Sequence, residues 1–109
     1  MNATSRRAKI EAMLAEDPKD DFLRYSLAME MRKEGEHESS IKQLAELTRQ
    51  EKPYVAAFFM AAQQLVELDR IPAARTFLRE GIDEARLQGD HHAAAEMSEF
   101  LSQIGELGE

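Results

Sequence analysis

The chain has no cysteine, and among its 109 residues only three are proline. Without cysteine there can be no disulfide and no thiolate nucleophile or metal ligand, a composition that suits a reducing compartment. Valine occurs only at Val55 and Val66, and no segment alternates apolar and polar residues with the period of a half-buried strand, so a β-sheet is excluded. No apolar run approaches the ~20 residues of a membrane-spanning helix. The segment Met1 to Arg7 lacks the apolar centre of a signal peptide. These absences lead to the expectation of a soluble, cytoplasmic protein.

Catalytic signatures are missing as well. There is no glycine-rich phosphate loop, no Ser-His-Asp constellation and no HExxH. Carboxylates such as Glu34, Glu36 and Glu38 are plentiful, but general acid–base work needs burial to shift their ionisation, and these read as solvating charge. No enzyme activity and no cofactor are expected. Histidine offers one ligand pair, His92 and Glu96 at helical i, i+4 spacing, with His91 adjacent. A zinc site wants three or four protein ligands, and His37 belongs to a distant hairpin, so no metal is expected. Twenty-one acidic against 14 basic residues give a net charge of −7, the wrong sign for a phosphate backbone. The short cluster Arg6, Arg7 and Lys9 does not offset it and is insufficient as a membrane anchor.

What is present is helix-forming: Leu, Ala, Met, Glu, Lys, Arg and Gln dominate. Punctuation brackets six helices. The first runs from about Ser5 to Glu16 and stops before Pro18, which disfavours helix at the residue it follows. Asp20 or Asp21 caps a second, Phe22 to about Glu34, closed by Gly35 in a left-handed conformation. A third spans Glu38 to Gln50. Pro53 is placed in the first turn of a fourth that reaches Leu68, and Pro72 at the start of a fifth ending near Leu87 with Gly89 behind it. Asp90 caps the sixth, His91 to Ile104. Connections this short make neighbouring helices antiparallel hairpins in a single domain, 1–109.

Two windows lie in register about 34 residues apart. The first carries Tyr25, Leu27, Ala28, Met31, Gly35, Ser40, Leu44 and Leu47; the second carries Phe59, Ala61, Ala62, Leu65, Asp69, Ala74, Leu78 and Gly81. Ala28 and Ala62 stand where each first helix would approach its partner, and a small side chain permits a short interaxial distance. Leu44, Phe77 and Leu78 would fill the space between hairpins.

This order resembles the tetratricopeptide repeat (TPR) family, in the manner of a small, bacterial-type member. The match covers Leu27-Ala28, Met31, Gly35, Ser40, Leu44 and, one position late, Pro53. It continues at Phe58, Ala61-Ala62, Leu65, Asp69, Ala74, Leu78 and Gly81. Departures are Arg24 at the early aromatic, Leu47 at the second small position and Arg86 at an exit proline. The resemblance implies an all-α, right-handed α-α superhelix in B, A-B, A-B, A order. Residues 5–18 would be a half-repeat, 21–53 and 54–88 the full repeats, 90–104 a capping helix and 105–109 a tail.

The family's function is protein–protein interaction, so the resemblance implies an adaptor that binds a peptide or helix in a groove lined by the A helices. By family register the groove takes Phe22, Tyr25, Met29, Arg32 and Lys33 from the first repeat. Phe59, Gln63, Val66 and Glu67 come from the second, with Met60 adjacent. Ala93, Met97 and Phe100 come from the last helix. Met side chains adapt to irregular apolar partners. An apolar stripe at this spacing is equally what a core requires, so groove and core stay open at this point. Some members hold acidic C-terminal tails in a Lys/Asn/Arg carboxylate clamp; here the corresponding positions are Tyr25, Met29 and Met60, and no such clamp is expected. The alternative is a homodimer formed through the groove or through the last helix, where Ala93-Ala94-Ala95, Met97, Phe100, Leu101 and Ile104 are apolar.

Overall fold

The computed structural model describes residues 5–105. Among the described residues there are six α-helices and no strand: α1 Arg6–Glu16, α2 Asp21–Lys33, α3 His37–Arg49, α4 Val55–Glu67, α5 Ile71–Leu87 and α6 His91–Gly105. Of the expected 105–109 tail, Gly105 closes α6 and the rest lies outside the described residues.

Three helices begin on a side-chain cap. Ser5 Oγ accepts from Ala8 N at 3.0 Å, Asp20 Oδ1 from Leu23 N at 2.9 Å and Asp90 Oδ1 from Ala93 N at 3.1 Å. Such a cap contributes about 1 kcal/mol by satisfying an otherwise orphaned N–H. The expectation for Pro53 is corrected: α4 starts at Val55 with Tyr54 before it, so Pro53 precedes the helix and does not form its first turn. Its carbonyl is engaged elsewhere, accepting from Gln88 Nε2 at 2.9 Å.

Three helices, α2, α4 and α5, end in the same way. Gly35, Asp69 and Gly89 have φ of 80°, 59° and 77°, the left-handed conformation that terminates a helix. Behind α2, Gly35 N donates to Arg32 O and Glu36 N to Met31 O; behind α4, Asp69 N donates to Val66 O and Arg70 N to Leu65 O. These paired bonds satisfy the last carbonyls of each helix. The helix starts repeat with them, α2 and α4 at residues 21 and 55, α3 and α5 at 37 and 71, which is a spacing of 34 in both cases.

Each helix packs against its sequence neighbours, and α4 also touches α6. The apolar interior is correspondingly divided. Ile10, Leu27 and Met31 join α1 to α2; Ala28, Leu44, Leu47, Ala57, Met60 and Ala61 join α2, α3 and α4. A third cluster, including Phe58, Ala62, Leu65, Leu78, Met97 and Ile104, joins α4, α5 and α6. Phe77 packs against both larger clusters. With most interfaces between sequence neighbours the molecule is elongated, 50 × 29 × 19 Å. The radius of gyration is 14.7 Å, against ~13 Å for a compact domain of this length.

Small residues set the helix spacings. Ala28, Ala62 and Ala74 expose no surface. At Gly81, in the middle of α5, an added Cβ would stand 2.6 Å from Phe58 Cβ and 2.7 Å from Met97 Sδ, so α4 and α6 approach α5 more closely than alanine permits. Ion pairs fix α1 to the α2–α3 turn, where Arg7 contacts Glu34 at 2.6 Å and Glu36 at 3.0 Å.

Candidate functional site

The first helices of the two hairpins and the last helix share one side of the stack. Arg32 on α2 reaches α4, 2.9 Å from Glu67 and 3.4 Å from Gln63. Phe59 on α4 meets Phe100 on α6 edge-on, ring centres 5.5 Å apart. Between them lie three linked depressions. The first, about 580 Å³, is lined by Met29, Arg32, Lys33, His37, Met60 and Glu67. The second, about 250 Å³, shares Met60 and includes Tyr25, Val55, Phe59, Gln63, Asp90 and Glu96. The third, about 210 Å³, shares Phe59 and Glu96 and adds Glu99, Phe100 and Gln103. Together they form a strip crossing α2, α4 and α6.

Seven of the nine expected site residues, Tyr25, Met29, Arg32, Phe59, Met60, Gln63 and Met97, line the first two depressions. They do not contribute alike. Met97 exposes no surface of its own, and Met60 exposes 6%. Met97 thus underlies the strip as core, drawn inward by the space that Gly81 leaves. Met29, Tyr25, Phe59 and Gln63 are half-buried and offer the accessible surface. Phe100 lines the third depression, and Phe22, 64% exposed near the start of α2, lines none of the three.

The Tyr25 ring lies 5.5 Å from that of Tyr54. Burial pushes the ionisation of both phenols up, so each remains a neutral hydroxyl at physiological pH. Arg32 holds the Glu67 carboxylate below its usual range, mainly through their hydrogen bond. The wall at this point is an ion pair already neutralised within the fold.

Beneath the first depression lies a polar chain that sequence reasoning missed. Ser40 Oγ donates to Ala28 O at 2.7 Å, Gln64 Nε2 donates to Ser40 Oγ at 2.8 Å, and Gln64 Oε1 stands 2.9 Å from His37 Nδ1. The direction follows by elimination. The serine proton is spent on Ala28, so serine accepts from the amide NH₂. The amide oxygen then needs a donor, which makes Nδ1 the protonated nitrogen of His37. Gln64 is wholly buried, yet it and Ser40 leave no polar side-chain atom unpaired. The available signal was periodicity: Gln64 falls on the face of α4 that carries Ala57, Met60 and Ala61.

The chain matches no family model, no curated protein and no solved structure.

Elsewhere on this side, His92 Nε2 and Glu96 Oε1 stand 3.6 Å apart in solvent, His92 being 86% exposed. Among the described residues no three His, Asp or Glu side chains gather as a metal site, and no helix is long and apolar enough to cross a membrane. The α6 helix turns three apolar residues fully into the fold and leaves Ala93, Phe100 and Leu101 half-buried. Ala94, Met97 and Ile104 are buried, Glu96 and Glu99 border the depressions, and the other exposed positions include His91, His92, Ala95, Ser98 and Ser102.

Proposed function

We propose that this chain is a non-catalytic protein-interaction module, a tetratricopeptide-like right-handed superhelix whose A helices α2, α4 and α6 form a groove for a peptide or helix of another protein. The observation that carries this reading is the strip of linked depressions across those helices, with Met29 and Phe59 half-buried and accessible along it. The recurrence of helix starts and left-handed turns at 34 residues supports the repeat class. An apolar floor with a few polar groups at its rim is the usual form of a recognition site, and thioethers adapt to varied apolar side chains. No cofactor is required. The absence of cysteine supports a reducing cytoplasm as the compartment.

The test begins with peptides selected from a displayed library on the wild-type protein. Met29→Ser/Phe59→Ser should keep the helical circular dichroism spectrum and bind those peptides at least about tenfold more weakly, a loss of ~1.4 kcal/mol. Unfolding of the double variant together with unchanged peptide affinity in each single variant would assign these side chains to the core and remove the reading.

Self-association through the groove is the runner-up, favoured by the Phe59–Phe100 pair at the groove edge. The polar outer face of α6 disfavours that helix as a dimer seam. A monomer in sedimentation equilibrium at high micromolar concentration removes the dimer, and Phe100→Asp should dissociate one that exists.

A further inference from the structure

The two ends of the groove differ in how their charges are used. At the α2 end the cations are engaged within the fold, Arg32 by Glu67 at 2.9 Å and Lys33 by Glu30 at 3.3 Å, a carboxylate it shares with Arg6 at 3.2 Å. At the α6 end the second and third depressions are bordered by Asp90, Glu96 and Glu99, and no lysine or arginine lines either one. Glu99 makes no ion pair or hydrogen bond among the described residues, and the one ionic contact of Glu96 is with the exposed His92. Between these carboxylates stands an apolar edge, the Phe59–Phe100 pair, both rings half-buried and open on the solvent side.

From this charge complementarity we infer that the α4–α6 half of the groove takes a basic amphipathic segment of a partner protein, its apolar side chains on Phe59 and Phe100 and its Lys or Arg side chains over Glu96 and Glu99. The inference rests on the groove reading above and adds the partner's chemistry to it. An acidic or uncharged segment would leave these carboxylates facing like charge or desolvated without a counter-ion. A basic one satisfies them at a half-exposed rim, where pairing favours orientation and rate of encounter over raw affinity. The chain's net charge of −7 attracts such a segment from a distance of about one Debye length.

The experiment uses the full chain and three labelled peptides: a Leu/Lys amphipathic helix, the same peptide with Glu for every Lys, and the same with Ser for every Lys. Fluorescence anisotropy is read at low and at physiological salt. The Lys peptide should bind at least about tenfold more tightly than the Glu peptide, with the preference shrinking as salt rises. Glu96→Lys/Glu99→Lys should invert the preference. Glu16→Lys/Glu80→Lys, which makes the same change in net charge at exposed sites away from the groove, should leave it in place.

If the Ser and Lys peptides bind equally and Phe59→Ser weakens both, the groove stands and the basic partner is overturned. If Glu16→Lys/Glu80→Lys abolishes the preference as fully as the groove pair does, attraction is non-specific and the inference is likewise overturned. If none of the three binds a chain that still binds its selected peptides, the basic partner is overturned and the groove stands; a dimer that buries Phe100 removes both.

Discussion

Gly35 and Asp69 stand 34 residues apart in the same left-handed conformation, each closing the first helix of its hairpin with the same pair of backbone bonds. At Gly35 that conformation is free of side-chain strain; at Asp69 an L side chain tolerates it at a cost of about 1 kcal/mol. Asp69→Gly should therefore raise stability by about 0.5–1 kcal/mol, and Gly35→Ala should lower it by about 1 kcal/mol. Thermal unfolding reads both, at roughly 4–8 °C per kcal/mol for a domain near this size. A lower midpoint for Asp69→Gly would show that its side chain does more than occupy the turn.

Two helical glycines should respond in opposite directions. An alanine at Gly81 places its Cβ against Phe58 Cβ, backbone-proximal and unable to swing aside, so Gly81→Ala should destabilise by about 1–3 kcal/mol despite the gain in helix propensity. Gly105 has nothing within 4 Å of an added Cβ, and Gly105→Ala should be neutral or stabilising by up to about 1 kcal/mol. Denaturant midpoints at constant m-value make the comparison.

The buried amide of Gln64 should show its dependence on Ser40 in a double-mutant cycle. Ser40→Ala strands the Gln64 NH₂ group and should cost about 1–3 kcal/mol. In Ser40→Ala/Gln64→Leu the stranded donor is gone, so the pair should lose less than the sum of the singles, with a coupling of about 0.5–3 kcal/mol. Strict additivity would mean that water serves the amide as well as serine does.

Acid should weaken the α2–α4 link. The Glu67 carboxyl titrates below its ordinary value of 4.5 in the folded chain because Arg32 stabilises its charged form. The unfolded chain then binds the proton first as pH falls, so the contribution of Glu67 is fully present above about 4.5 and is lost as pH drops through the lowered folded value. Both side chains are partly solvated, which keeps the effect small and sensitive to salt. Glu67→Gln should flatten the decline of stability below pH 4.5 relative to wild type. An unchanged acid limb would show that the pair contributes nothing to folding.

Local punctuation made most of the fold legible. Asp20 and Asp90 cap as their side chains suggest, Gly35 and Gly89 terminate, and Pro18 and Pro72 mark boundaries, because each of these preferences is a property of one residue and its neighbours in sequence. Pro53 misled because a proline before a helix and a proline in its first turn look alike until the following N-terminal residue is fixed. The site was less legible. Met97 shares its helical face with Phe100, and only the depth of the Gly81 notch separates buried from accessible. Phe22 lies one turn too early on α2 to meet the strip. The Arg32–Glu67 bridge and the Ser40–Gln64 pair depend on which helices lie side by side, which spacing along one helix does not encode.

The central claim, that the strip across α2, α4 and α6 is where a partner binds, is tested most directly by titrating a selected peptide into isotopically labelled protein and following amide and methyl resonances. The account predicts saturable shifts concentrated at Tyr25, Met29, Phe59, Met60 and Gln63, with the exposed faces of α3 and α5 around Lys42 and Arg79 unmoved. Shifts centred on α3 and α5, with the Met29 and Met60 methyls unchanged at saturation, would contradict it.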